Sequence, residues 1–310
     1  KHVVTANKAL ISKYGDQLSK IAEKNNVNLE FEASVCGGVP IIRSLKEGLI
    51  ANKIFKIFGI FNGTSNYILS SMERENKNFK DVLLNAKKLG YAESNPVADL
   101  NGEDVSSKLK ILTSLCFNSF LNNNIHVEGI KDIDKEDINY SKILGYKIKL
   151  LGYSELINNK IYQRVHPTLI KVSSYVASID GVLNAVILEG KPVGQSIIQG
   201  EGAGAAATTS ALVSDISSIL RGNIKFPFSI SNKERKYLKF KDISDRLFSA
   251  YLRFEVKDRS GVLSNITNLF SKNSVSIKRL IQNPNKKKGT SSIVIITHHA
   301  KDKYLNKIIK

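Results

Sequence analysis

The order of strand-like and helix-like stretches predicts an α/β chain, α+β over its whole 310 residues, assembled from three parts. Three observations carry this expectation. At the start, strand, helix, strand, glycine turn and helix follow one another, the grammar of a doubly wound α/β domain of the Rossmann type entered part-way. In the middle, alternating strand-like segments interleaved with helical ones read as a mixed sheet with helices on one face. The closing stretch, 249–310, reads βαββα, one strand short of a ferredoxin-like βαββαβ module.

Each element has a local reason. "HVVTA" is a short apolar run read as a buried strand, and Lys8 to Asn25 spaces Leu10, Ile11, Leu18, Ile21 and Ala22 as a helix does. "VNLEFEASV" alternates like a strand and ends in the turn "CGGVP"; after Pro40, Ile41, Ile42, Leu45 and Leu49 mark another helix. "KIFKIFGIFNGTSNYILSSM" gives strand, turn and helix, and "DVLLNAKKLGYAESNP" a helix ending at Gly90. Strand-like "YKIKLLGYSEL", "KIYQRVHPTLI" and "GVLNAVILEG" fill the region from about Ile143 to Ile187. "VGQSIIQGEGAGAAATTSALVSDISSIL" is a strand, a glycine loop and a long small-residue helix from about Ala205 to Leu220.

In the closing part, "AYLRFEVKD", "VSIKRLIQNP" and "SSIVIITHH" read as strands, "GVLSNITNLFSKN" and "DKYLNKIIK" as helices, with the basic loop "NKKKG" between the last two strands. The expected division assigns 1–51 and 192–221 to what remains of a nucleotide-binding domain and 52–191 to a catalytic and dimerisation domain. Charged, irregular residues 222–248 are expected as a linker, and 249–310 as an incomplete regulatory unit.

A net charge of +18 raises nucleic-acid binding as a possibility. The charge is mostly lysine, scattered among asparagine and isoleucine with no arginine cluster, basic helix or zinc spacing, which argues against it. No apolar run reaches the ~18 residues of a membrane span, so no membrane partner is expected. The two cysteines, Cys36 and Cys116, form neither a metal spacing nor a disulfide framework, and a cytoplasmic location fits.

Chemistry enters at "ADLNGEDVSSKLKILTSLC". At about 100° per residue, Asp104 and Lys108 fall in the same arc as Val105, Leu109, Ile111, Leu112, Leu115 and Cys116. The pair is either a structural ion pair, partly buried or snorkelling at the edge of the stripe, or a lysine held by a carboxylate in a cleft and poised to move a proton. "GYAES" sets Tyr91 and Glu93 on a loop just ahead, with Asp99 following, and a loop with acids next to a buried lysine reads as a site for a substrate bearing an ammonium group. "GEGAGAAATT" places helix-start N–H groups where a phosphate fits, or is simply close packing. "FEASVCGGVP" offers Glu32 and turn carbonyls to an oxygen-loving cation, or is only a tight turn.

Taken in order, "KHVVTANKAL", "FEASVCGGVPII", "GIFNGTSNYIL", "KKLGYAES", "DLNGEDVSSKLKIL" and "GEGAGAAATTSALVSDI" resemble homoserine dehydrogenase, from Lys1 to about Leu220. The closing unit resembles an ACT domain through "DRSGVL" at Asp258 to Leu263. The resemblance implies NAD(P)H-dependent reduction of L-aspartate 4-semialdehyde to L-homoserine, with Lys108 as catalytic proton donor. It implies that Glu93, Asp104, Asp99, Tyr91 and Thr64 bind substrate and that Lys8, Gly90 and Gly204 bind the cofactor. It further implies a sodium or potassium ion at Glu32, Val35, Gly37 and Val39, mostly through main-chain oxygens. A homo-oligomer, dimer or tetramer, and threonine as effector of the ACT unit follow from the same resemblance.

Two departures stand out. Asn95 in "ESNP" replaces a common acid, and the family's G-x-G-x-x-G turn, expected ahead of Lys1, is not in the sequence. The chain therefore reads as an N-terminally truncated piece of a longer enzyme, and the alternative expectation is a catalytically silent amino-acid-binding module.

Overall fold

A computed structural model describes residues 1–121, 125–223, 225–284 and 289–309, which fall into two compact units, Lys1–Phe240 and Lys241–Lys310. The first unit opens with β1 (Val3–Val4), α1 (Lys8–Lys24) and β2 (Leu29–Glu30), the two strands parallel. Asn7 caps α1 by accepting the Leu10 N–H at 2.9 Å. The strands are shorter than their patterns suggest, and Val3 is half-exposed where a buried strand was expected. After Glu30 the chain bends into a 3-10 turn, Glu32–Ser34, because the Glu32 carboxylate is drawn across to cap α2 (Ile41–Arg43). A π-helical turn, Ser44–Gly48, continues α2.

Then come β3 (Lys53–Ile60), α3 (Gly63–Glu75), α4 (Phe79–Lys88), α5 (Val97–Leu100), α6 (Glu103–Phe117), β4 (His126–Val127), α7 (Lys135–Ile143), β5 (Tyr146–Ile157), β6 (Lys160–Lys171), β7 (Leu183–Lys191), β8 (Gly194–Glu201), α8 (Ala205–Leu220) and β9 (Lys239–Phe240). The strands order as β4-β6-β5-β3-β7-β8, with β9 also on β6. β4 and β9 run parallel to β6, and the other pairs are antiparallel, giving the mixed sheet expected.

Residues alternate across this sheet with period two. Ile57, Leu150, Val186 and Leu188 join Phe61, Leu109 and Leu112 in the main core, while Ile60, Leu151, Ala185 and Ile187 pack with Val176 and Ile179 in a second cluster. The main core also takes in Ile11, Phe31 and Val35, so residues 1–51 and the sheet share one apolar interior. β8 completes a hairpin with β7, from Leu183↔Glu201 to Gly190↔Gly194, so 194–201 belongs with the sheet instead of the 192–221 segment assigned to nucleotide binding. Helix α8 packs against the 32–34 turn instead.

The expected linker 222–248 is also corrected. Up to Phe240 it belongs to the first unit, because Phe228 and Arg235 are buried there and β9 adds to the sheet.

The second unit contains β10 (Leu247–Phe248), β11 (Tyr251–Lys257), α9 (Val262–Lys272), β12 (Ile277–Pro284), β13 (Thr290–Thr297), β14 (Ala300–Lys301) and α10 (Asp302–Ile309). Its antiparallel sheet is ordered β11-β13-β12, with β10 and β14 as a separate short pair. Phe270, Val275, Ile293, Ile295, Leu305 and Ile308 form its core. Gly261 stands at φ +88° directly before α9, a left-handed position that a side chain would strain, and this explains the glycine of "DRSGVL". Of the basic "NKKKG" loop, 285–288 lie outside the described residues.

Candidate active site

The helix read from the sequence is present, and its polar pair is buried. Asp104 lies in the first turn of α6, four residues before Lys108, and their side chains are 3% and 9% exposed. Lys108 Nζ stands 2.8 Å from Asp104 Oδ2 and donates to the Phe61 carbonyl at 2.6 Å. Lys8, first residue of α1, pairs with the other carboxylate oxygen of Asp104 while its own side chain stays 43% exposed. Asn62 Nδ2 donates to Asp104 Oδ2 at 2.9 Å and to Asp99 Oδ1 at 2.7 Å. Its Oδ1 meanwhile accepts the Ser65 N–H at 2.8 Å as the N-cap of α3.

The charges set one another. Burial pushes the Asp104 carboxyl up, but Lys108 and Lys8 overcome it and hold the group down at about 2. Burial pulls the Lys108 amine down, and the neighbouring Asp104 charge more than reverses this, so its pKa is raised and the ammonium form is favoured. Burial raises the Asp99 carboxyl, opposed by the Asn62 hydrogen bond and reinforced by Asp104. The result is a cationic amine enclosed in protein with Asp104 as its counter-ion, the condition a proton donor needs.

Other predicted residues gather on the same side. Thr64 Oγ1 donates to the Tyr91 carbonyl at 2.7 Å, and the Tyr91 and Tyr67 rings lie 4.9 Å apart, so the loop after Gly90 is tied to α3 beside Asn62. Glu93 is not drawn in: it is exposed and makes no ion pair among the described residues. Asn62 and the Phe61 carbonyl join the site beyond the residues that the sequence predicts. The signal was available, since an asparagine before Gly63 at the end of a strand is a helix-cap position.

The two glycine loops meet. Gly38 N–H donates to the Glu201 carbonyl at 2.8 Å, and a Cβ on Gly38 would lie 2.9 Å from that oxygen. A Cβ on Gly202 would fall 2.1 Å from the Asn184 side chain. Close packing therefore accounts for Gly38 and Gly202. Gly204 differs: it stands at φ +110° with nothing near it, at an α8 N-terminus that has no side-chain cap, so first-turn N–H groups remain for an anion. Gly90, at φ +76° after α4, is likewise open. The uncapped α8 N-terminus and the half-exposed Lys8 ammonium are each of a charge that suits an anionic ligand.

The Glu32 carboxylate accepts the N–H groups of Ile42 at 2.9 Å and Arg43 at 2.6 Å, and Asp215 Oδ2 accepts the Glu32 N–H at 3.0 Å. Burial raises the Glu32 carboxyl to about 7 against those two hydrogen bonds. The Val39 carbonyl accepts from Ile41, whereas those of Val35 and Gly37 accept no hydrogen bond among the described residues. A buried acid short of positive charge beside unengaged carbonyls fits a monovalent cation.

Comparison with known proteins follows the same lines. Residues 40–217 match the family model for homoserine dehydrogenase, and 250–309 match that for the ACT domain. A homoserine dehydrogenase of Neisseria gonorrhoeae is 42% identical, over 100% of this chain and 73% of its own length. The crystal structure of a homoserine dehydrogenase from Thiobacillus denitrificans superposes with a TM-score of 0.92 at 39% identity, over 100% of this chain and 72% of that one. A hyperthermophilic archaeal homoserine dehydrogenase mutant in complex with NADPH shares 29% identity at a TM-score of 0.63, over 72% of this chain and 65% of that one.

Proposed function

Because the chain belongs to the homoserine dehydrogenase family, whose members are NAD(P)-dependent oxidoreductases, we propose that it reduces L-aspartate 4-semialdehyde to L-homoserine with Lys108 as proton donor. The observation that carries the role of Lys108 is its placement: an enclosed amine held by Asp104 at 2.8 Å and by the Phe61 carbonyl at 2.6 Å.

NAD(P)H supplies the hydride when bound, and Lys8, Gly90 and Gly204 are the residues that would hold it. As negative charge grows on the aldehyde oxygen, the Lys108 ammonium offsets it and passes on a proton. The Phe61 carbonyl and Asp104 hold Nζ in place throughout. Once neutral, the amine is left beside an ionised Asp104, which favours recovery of a proton. Asp99, Glu93, Tyr91 and Thr64 bind the substrate, the acids meeting its ammonium group. Supporting this set, Asn62 and Thr64 gather Asp99 and Tyr91 around the start of α3, while Glu93 rests on the resemblance alone.

Sodium or potassium bound at Glu32, Val35, Gly37 and Val39 would neutralise Glu32 and stiffen the turn facing the 200–204 loop. The second unit, matching the ACT family, takes threonine as a regulatory ligand in this proposal. A dimer or tetramer is also part of it, supported by the exposed apolar side chains of Tyr175, Val193 and Ile197 on the β7–β8 hairpin and beside it. Cys36 and Cys116, both unpaired thiols, fit the cytoplasm.

The test is Lys108→Met in the full-length enzyme. Loss of aldehyde reduction with an unchanged fold supports the assignment, and near-normal turnover refutes it.

A further inference from the structure

The side chain of Arg235 is 0% exposed. Its guanidinium is sandwiched between the rings of Phe120 and Phe228, at 4.6 and 4.2 Å from their centroids. Nη2 reaches Asp16 Oδ1 on α1 at 2.7 Å, Ser114 Oγ near the end of α6 at 2.7 Å, and the Ser119 carbonyl just beyond it at 2.8 Å. One nitrogen thus joins α1, the far end of α6, and the 225–240 strap that carries it.

The rest of the strap repeats the pattern. Phe228 lies so close to α1 that a Cβ on Gly15 would come within 2.9 Å of its ring. Asn232 N–H donates to Glu23 at 3.1 Å, while Lys236 N–H donates to the Asn118 carbonyl at 3.1 Å and the Lys236 carbonyl accepts from Phe120 at 3.0 Å.

Fastening alone does not call for an arginine. An apolar residue between two phenylalanine rings holds a strap as well, without burying a charge. What the guanidinium adds is direction: the two N–H groups of Nη2 are shared among acceptors on α1 and at the end of α6, and their geometry fixes one helix relative to the other. Those helices also meet elsewhere. Lys8 begins α1 and Asp104 lies in the first turn of α6, and the two form an ion pair. Asp16 is about 12 Å along α1 from Lys8, and Ser114 about 15 Å along α6 from Asp104. Core packing of Ile11 and Ala22 seats α1, but the near link is a half-exposed lysine, so the Arg235 contacts supply the buried, directional tie between the two helices.

We propose that Arg235 is a positioning residue for the Lys8–Asp104–Lys108 site: by tying Asp16 on α1 to Ser114 and Ser119 at the end of α6, it sets where Lys8 meets Asp104. The proposal rests on the catalytic reading of that site. The two fail separately, because unchanged turnover in Lys108→Met sinks the reading, whereas the carboxyl titration below reports geometry alone.

In the full-length enzyme, Arg235→Met keeps volume and loses direction, and Asp16→Asn weakens only the α1 end. Measured well below the melting temperature, Arg235→Met lowers kcat about tenfold in the wild-type background but less than twofold in a Lys8→Ala background, where the contact it protects is already gone. Asp16→Asn shows the same pattern more weakly and stands in if Arg235→Met does not fold. An equal factor in both backgrounds identifies a general structural role and overturns the proposal. Independently of turnover, the Asp104 carboxyl, which faces Lys8, Lys108, Asn62 and Asp99, is followed by carbon-13 resonance. Its midpoint rises in Arg235→Met as Lys8 moves off, and an unmoved midpoint overturns the proposal.

Discussion

Asp104→Asn isolates the electrostatics of the site. The carboxylate is buried and held at about 2 instead of its ordinary 3.8, Lys108 and Lys8 outweighing the upward push of burial. That difference of roughly two units corresponds to about 2.5 kcal/mol favouring the ionised form in the folded state. Asparagine keeps the shape, and an amide oxygen in the place of Oδ2 accepts from Asn62 and Lys108, but the Lys108 ammonium is left enclosed without its counter-charge. Breaking a buried pair in this way typically costs about 3–5 kcal/mol. Because Lys8 is free to swing into water, the lower end applies, and a loss of about 3 kcal/mol is expected at pH 7. The folded pKa lies below the unfolded one, so this stability is present above about pH 4 and is lost as pH falls through about 2. Urea unfolding of wild type and variant at pH 7, 5 and 3, following the first unit, reads the gap directly. Carboxylates remote from the site cancel in the difference, so the gap narrows with acid. A gap under about 0.5 kcal/mol at pH 7, or one that stays constant down to pH 3, refutes the reasoning.

Lys108→Met is expected to lower kcat by about 10²–10⁴ while urea stability changes by less than about 1 kcal/mol, because Lys8 and Asn62 still satisfy Asp104. Gly202→Ala pushes a methyl group to 2.1 Å from the Asn184 side chain and is expected to cost about 1–3 kcal/mol by thermal or urea melting. Sodium or potassium chloride at pH 8 should raise the melting temperature above that in tetramethylammonium chloride of equal ionic strength, with the difference abolished by Glu32→Gln; equal melting in all three salts removes the cation from the proposal. Threonine at about 100 times its dissociation constant should stabilise the second unit by about 2.7 kcal/mol, visible as a rise in its thermal transition and missing with a non-binding amino acid.

Local patterns made much of this chain legible. Helix α8 spans Ala205–Leu220 as its small-residue run suggested, and α6 places Asp104 and Lys108 on the buried side that their spacing indicated. What stayed hidden depends on contacts distant in sequence. "VNLEFEASV" alternates like a strand, yet only Leu29–Glu30 pair, because the Glu32 side chain is needed ten residues ahead at the α2 N-terminus. The 222–248 stretch looked like solvated linker because it is rich in charge, but its phenylalanines were the contrary sign, and Phe228 sits in the core. Family resemblance alone points to Lys8; nothing in its own sequence neighbourhood signals an ion pair with a residue nearly a hundred positions away.

Asn62 gives both hydrogens of one amide to two acids and its oxygen to the α3 backbone. Such a group acts as a yoke: any tug on one acid is felt by the other and by the helix it anchors. A positively charged guest seated against Asp99 weakens that acid's claim on the amide, and the amide then leans further on Asp104. Under the proposed roles of Asp99 and Lys108, arrival of the guest and the readiness of the proton are harnessed together through this one amide.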